Sequence, residues 1–184
     1  MTERVLIHTR TIRMEAARVS DREMEVTGHL LDERPEPEDW FGVPSGLVIH
    51  DMSVTLRVRA PDLVVTAASA AMDARPYTIC TDALDPLQSL VGLSVARGFT
   101  RAVNERLGRA RGCAHLTALV HAIAPVVRQG AGVTFRRTRE QPDPAQDLWF
   151  VNTCQAWREN GPLHTRLVAN DVEGLRQLSA HRKS

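Results

Sequence analysis

The sequence predicts an α+β fold, an N-terminal four-stranded antiparallel meander sheet with C-terminal helices packed on one face. Three observations predict it. Residues 50–59 alternate cleanly, with His50, Met52, Val54, Leu56 and Val58 on one face and Asp51, Ser53, Thr55, Arg57 and Arg59 on the other. Successive side chains of a strand point to opposite sides, so this is a half-buried strand. Helical spacing of apolar residues appears only later, most clearly in Leu116, Leu119, Val120, Ile123 and Val127. Strand patterns (about 5–72) and helix patterns (about 85–181) are segregated along the chain and are not interleaved as βαβ units would be.

The elements follow in order. Residues 5–14 read as a first strand, with Leu6, His8, Arg10, Ile12 and Met14 on one face. Residues 22–32 read as a second, grouping Met24, Val26, Gly28, Leu30 and Asp32, and the connection 16–21 is short enough for a hairpin. A Pro- and acid-rich loop over 33–44 leads into the strand at 47–59. Ala60-Pro61-Asp62 is a turn signal, and 63–72 is a small, apolar return strand. Asp85-Pro86 has the form of an N-cap followed by Pro at the first helical position, opening a helix through Leu90. Gly92 and Gly98 interrupt it, and the next helical run ends at Gly108. The pattern then predicts a helix over 113–129 containing Pro125, a polar loop over 137–147, a helix over 148–158, a break at 159–162 and a final helix over 171–181. No repeat, low-complexity tract or domain boundary is visible, so residues 1–184 are expected to form a single domain.

Composition narrows the function classes. A net charge of +1 on 184 residues gives no electrostatic case for nucleic acid or an anionic membrane surface. The basic residues are nearly all arginine, and an aromatic content of 4% offers no platform for stacked bases. No apolar run has the length of a signal peptide or a membrane span. Three cysteines, an odd number, argue against a disulfide framework and for a reducing cytoplasm. There is no GxGxxG, P-loop, GxSxG or HExxH pattern, so no nucleotide or organic cofactor is invoked.

Two groups of polar residues stand out. In a meander, the start of strand one, the end of strand two, the start of strand three and the end of strand four meet at one end of the sheet. That brings His8, Arg10, Asp32 and His50 together, and parity puts all four on the inward face. Buried charge is costly unless it is paired or used. Asp32 can hold the imidazole of His50 in one tautomer, as a carboxylate does for a histidine serving as base or metal ligand. The competing structural reading is a satisfied network in which Arg10 pairs with Asp32 and His50 caps a loop. The second group is Gly112-Cys113-Ala114-His115-Leu116 at a helix start. There a thiolate is favoured by the helix dipole, and Cys113 and His115 can ligate a single Zn or Fe ion completed by Cys154 or His50. Without a second close pair, buried-thiol and hydrogen-bonded-histidine readings stay open for Cys113 and His115.

These residues carry a resemblance to a family of bacterial proteins, the domain-of-unknown-function 2889 family. The matching elements are the His8/Arg10 strand, Gly28-His-Leu-Leu-Asp32, Val48-Ile-His-Asp-Met52, Leu90-Val-Gly-Leu93, Gly98-Phe99, Gly112-Cys-Ala-His-Leu116 and Asn152-Thr-Cys154. Where the family motif usually has Thr, this chain has Ala114. By analogy, the resemblance points to breakdown of lignin-derived aromatics, including formaldehyde-releasing lyases.

The expected function is therefore a small-molecule enzyme of lyase or hydrolase type acting on an aromatic or carboxylated metabolite. His50, Asp32 and His8 are the catalytic candidates, with Arg10, His115 and Tyr77 as substrate-binding candidates. The alternatives are a metal-binding or scaffold protein using Cys113, His115 and Cys154, and a non-catalytic ligand-binding module. A small-molecule substrate is the expected partner, no cofactor or a single Zn/Fe ion is expected, and a homo-oligomer is compatible with the sequence.

Overall fold

A computed structural model describes residues 4–36, 39–40, 43–44, 46–134 and 150–180. The strands are β1 (Thr9–Arg18), β2 (Glu23–Glu33), β3 (Asp39–Trp40), β4 (Val43–Pro44), β5 (Val48–Arg59) and β6 (Val64–Ala74). The four long ones form one antiparallel sheet in the order β1-β2-β5-β6, the expected meander. Helices α1 (Phe99–Leu107) and α2 (Ala114–Thr134) follow, preceded by 3-10 turns over Thr78–Ala83 and Asp85–Leu90. The chain is mixed α+β, and it divides into two compact units, Met1–Thr138 and Arg139–Ser184.

The meander forms because the apolar residues share one parity. Met24, Val26 and Leu30 of β2 and Met52, Val54, Leu56 and Val58 of β5 are all at most 1% exposed. Helix α2 lies against β1, β2 and β5, and its own stripe of Leu116, Leu119, Val120, Ile123 and Val127 completes that core. Gly28 makes the crossing close. A Cβ there would come within 3.3 Å of Leu119 and 2.8 Å of the Met14 sulfur. Helix α1 packs on α2 through Phe99, Val103 and Leu107. The opposite face of the sheet is polar and pairs across strands, as in Thr27 with Thr55 and Arg57 with Glu25.

Several boundaries differ from expectation. β1 runs over Thr9–Arg18, not 5–14, and its pairing continues to Arg18 opposite Met24. Nearly every residue of this edge strand is exposed, so burial left no alternation for the sequence to display. The loop at 33–44 contains the short β3–β4 hairpin. Helix α2 continues to Thr134, through Pro125, and the segment from Asp85 to Leu90 is 3-10, not α. The predicted loop over 137–147 lies outside the described residues.

In the second unit, residues 150–157 form turns where a helix was expected. Asn152 has a left-handed backbone (φ 62°), incompatible with continuing a helix, and its N–H donates to the Trp157 carbonyl. The rings of Phe150 and Trp157 meet edge to face at 4.6 Å. α3 (Pro162–Val168) begins at the expected break, with Pro162 in the first turn where its missing N–H costs nothing. α4 (Val172–Gln177) is capped by Asp171, whose Oδ1 accepts from the Gly174 N–H at 2.8 Å. Among the described residues no helix is long and apolar enough to cross a membrane.

The core makes a direct prediction. Leu119→Ala should cost about 2–5 kcal/mol in urea unfolding, since it opens a cavity between α2 and the sheet. Ile79→Ala, at a position 73% exposed, should stay within about 0.5 kcal/mol.

Candidate functional site

The strand register builds the site. Arg10 stands opposite Asp32, and Asp32 opposite His50, in one row across β1, β2 and β5 at the end of the sheet. Two irregularities flank His50. Glu33 pairs with Val48, leaving Ile49 extra, and Asp51 pairs with Ala74 while Met52 pairs with Met72, leaving Asp73 extra. Such bulges re-aim neighbouring side chains and end regular pairing.

Asp32 continues the buried parity of β2 and has no accessible surface. Arg10 grips it with two bonds, Nε–H to Oδ1 at 2.6 Å and Nη2–H to Oδ2 at 2.7 Å. His8, just before β1, places Nε2 3.2 Å from Oδ1, and His50 places Nδ1 2.9 Å from Oδ2. Burial by itself would raise the Asp32 pKa. The hydrogen bond and charge of Arg10, with the bond from His50, outweigh it and hold the group at about 2. An ionised carboxylate only accepts, so His50 carries its proton on Nδ1 and His8 on Nε2. Nε2 of His50 is left clear of that contact.

The first turn of α2 brings the two predicted groups together. His115 stacks on His50, with ring centroids 3.8 Å apart and planes tilted by 32°. Its Nε2 lies 3.6 Å from Asp32 Oδ2, and its Nδ1 lies 3.7 Å from the Cys113 sulfur. Burial lowers the pKa of His115, helped by the charges of His50 and Arg10, so the ring is neutral at pH 7. The site opens to solvent on its imidazole side, with the His50 side chain 13% and that of His115 26% exposed.

Of the residues singled out in the sequence, His8, Arg10, Asp32, His50, Cys113 and His115 converge here. Arg10 spends two of its nitrogens on Asp32, which is the structural pairing weighed against a substrate anchor. Tyr77 is 45% exposed and lines a shallow depression of about 280 Å³ with Val48 and residues 73–78, which none of the six converging residues lines. Cys154 lies in the second unit and is exposed. His29 pairs with Asp51 at 2.5 Å on the outer face. Sequence reasoning named His115 for the same site and offered His50 as its companion, but could not place it against Asp32. The only available signal was a His beside a helix start, and that does not say which sheet end the helix start covers.

A metal set can be drawn as well. Ligand atoms of Asp32, His50 and His115 lie within 4.8 Å of one another, a two-histidine, one-carboxylate set with nitrogen and oxygen donors suited to Zn or Fe. Against it, Asp32 already accepts four hydrogen bonds, about its full capacity. An ion on that carboxylate must displace at least one of them.

A family model described as "Protein of unknown function (DUF2889)" matches residues 8–129, about two thirds of the chain. The chain belongs to the DUF2889 family. The matched span holds all six converging residues and ends before Cys154. No curated protein and no solved structure matches the chain. The DUF2889 match thus covers the sheet and α1 and stops within α2, short of the second unit.

The clamp on Asp32 predicts a pH dependence. Its folded pKa of about 2 lies below the ordinary 3.8, so the folded form binds fewer protons than the unfolded chain between these values. The resulting stability, about 2 kcal/mol at 1.36 kcal/mol per unit, is complete above about pH 4 and is lost as pH falls toward 2. His115 has the same sign at higher pH, since its lowered pKa makes stability fall as pH drops through the imidazole range. Asp32→Asn should cost about 2–4 kcal/mol at pH 7 and flatten the profile between pH 4 and 2, read by urea unfolding at each pH.

Proposed function

We propose that this DUF2889 protein is a small-molecule enzyme of lyase or hydrolase type, working by proton transfer at His50 and His115. The observation that supports this best is the tautomer lock. Asp32 is too acidic and too fully bonded to act as a base itself, yet it fixes Nδ1–H of His50 and leaves Nε2 for substrate. An imidazole with one nitrogen tied to a carboxylate and the other free is the arrangement a general base needs. His115, neutral and stacked beside it, is a second proton acceptor, and His8 is a third at the rim. Arg10 neutralises Asp32, and it keeps Nη1 free of those two bonds for an anionic group on the substrate.

A metabolite with a carboxylate or phenolate fits such a site. Lyase chemistry requires removal of a proton and its return elsewhere, and hydrolysis requires activation of water; both need a positioned base and no organic cofactor. The setting is a reducing cytoplasm, consistent with three free cysteines, and the partner is a small-molecule substrate, with a homo-oligomer compatible.

The test is a panel of aromatic acids carrying hydroxymethyl side chains, followed by formaldehyde capture, together with aryl esters followed by acid release. His50→Gln should lower kcat roughly 10²–10⁴-fold on any compound turned over, with an unchanged circular dichroism spectrum. Full turnover by His50→Gln would remove His50 from the chemistry. Saturable binding without turnover of any compound would select the binding-module reading.

The metal reading rests on the 4.8 Å ligand set. If an ion is held there, cobalt substitution gives visible d–d bands that His50→Gln and His115→Gln both abolish and Cys154→Ser leaves alone. If proton transfer alone operates, chelator-treated protein keeps its turnover.

A further inference from the structure

Asp32 bears on three imidazoles, and it turns two of them, His50 and His115, opposite ways. His50 presents Nδ1 to the carboxylate, whereas His115 presents Nε2, at 3.6 Å from Oδ2. The negative oxygen favours the proton on the nearer nitrogen of each ring. In His115 that leaves the lone pair on Nδ1, and the atom facing Nδ1 is the sulfur of Cys113 at 3.7 Å, within range of an S–H···N bond. Carboxylate, imidazole and thiol therefore stand in line, with the thiol as the donor at the end.

Position strengthens the case. Cys113 immediately precedes α2, a helix of 21 residues, and its carbonyl accepts the first helical bond from the Thr117 N–H at 2.9 Å. Its sulfur thus sits at the positive end of the helix dipole, where a thiolate is favoured. Cys80 and Cys154 have no imidazole in such a contact among the bonds of the described residues.

We propose that Cys113 is a nucleophilic thiol served by His115, and that the hydrolytic form of the chemistry proceeds through a thioester on Cys113. This rests on the proposed acid–base site and narrows its substrate class to activated acyl groups, esters or thioesters. The sulfur attacks the acyl carbon as its proton passes to Nδ1 of His115. A C–S bond forms, the bond to the leaving group breaks, and His115 returns the proton to that group. Water, deprotonated by Nε2 of His50, then cleaves the C–S bond, giving a carboxylic acid and the free thiol. Atoms and electrons balance without an added oxidant or reductant.

The experiment uses the full chain with p-nitrophenyl acetate, stopped-flow release of p-nitrophenolate, and mass mapping of the acetyl group. A burst of one equivalent with acetyl on Cys113 is expected, absent in Cys113→Ala and slowed at least about tenfold in His115→Gln. The steady rate after the burst reads His50, so a failure of the base and a failure of the thiol are seen separately. Acetylation elsewhere or nowhere would overturn the proposal.

Discussion

A carboxylate with no accessible surface at the end of an apolar strand face holds this site together. Burying Asp32 alone would cost several kcal/mol, and nothing apolar around it could offset that. The bidentate grip of Arg10 changes the balance, because two short charge-assisted bonds supply what water would have supplied. The row Arg10, Asp32, His50 then ties β1, β2 and β5 together at the end of the sheet where the β2–β5 and β5–β6 ladders carry bulges. Side-chain bonds add to backbone bonds at that end. The exposed edge strand β1 keeps an unbroken ladder with β2, and the Arg10–Asp32 clamp reinforces it.

Helix placement depends on the same carboxylate from the other side. The apolar stripe of α2 fixes the helix over Gly28 and Leu30, and the rise of the helix then sets its first turn above Asp32. His115 arrives there as a consequence of packing several residues away. Site geometry and core packing are therefore coupled, and a change under Leu119 that tilts α2 also moves the imidazole and thiol at its start.

Much of this was legible in the sequence, and for identifiable reasons. The parity of β2 and β5 is strict because one face is dry, so Asp32 and His50 could be placed on the inner side of one row from alternation and meander topology alone. Register was the exposed assumption, and Arg10 opposite Asp32 opposite His50 satisfies it. The extent of β1 was not legible, because both of its faces are wet. The union of His115 with Asp32 was not legible either, since it depends on where a helix lands on a sheet. Residues 150–157 misled because apolar and aromatic residues at near-helical spacing there make turns around a left-handed Asn152.

The chemistry follows from which lone pairs the network leaves unspent. Asp32 has none to give, and at a pKa of about 2 it does not carry a proton near neutrality. Its influence is directional: it draws the proton of His50 to Nδ1 and that of His115 to Nε2, exposing Nε2 on one ring and Nδ1 on the other. Two stacked rings with opposite free nitrogens cannot act on the same atom at the same moment. They suit a reaction in two stages, one proton accepted at each ring, with the second ring neutral while the first is charged because two imidazolium ions 3.8 Å apart repel. A single-step proton abstraction has no use for that second position. A covalent route does, because acylation and deacylation each need a base and never need it together.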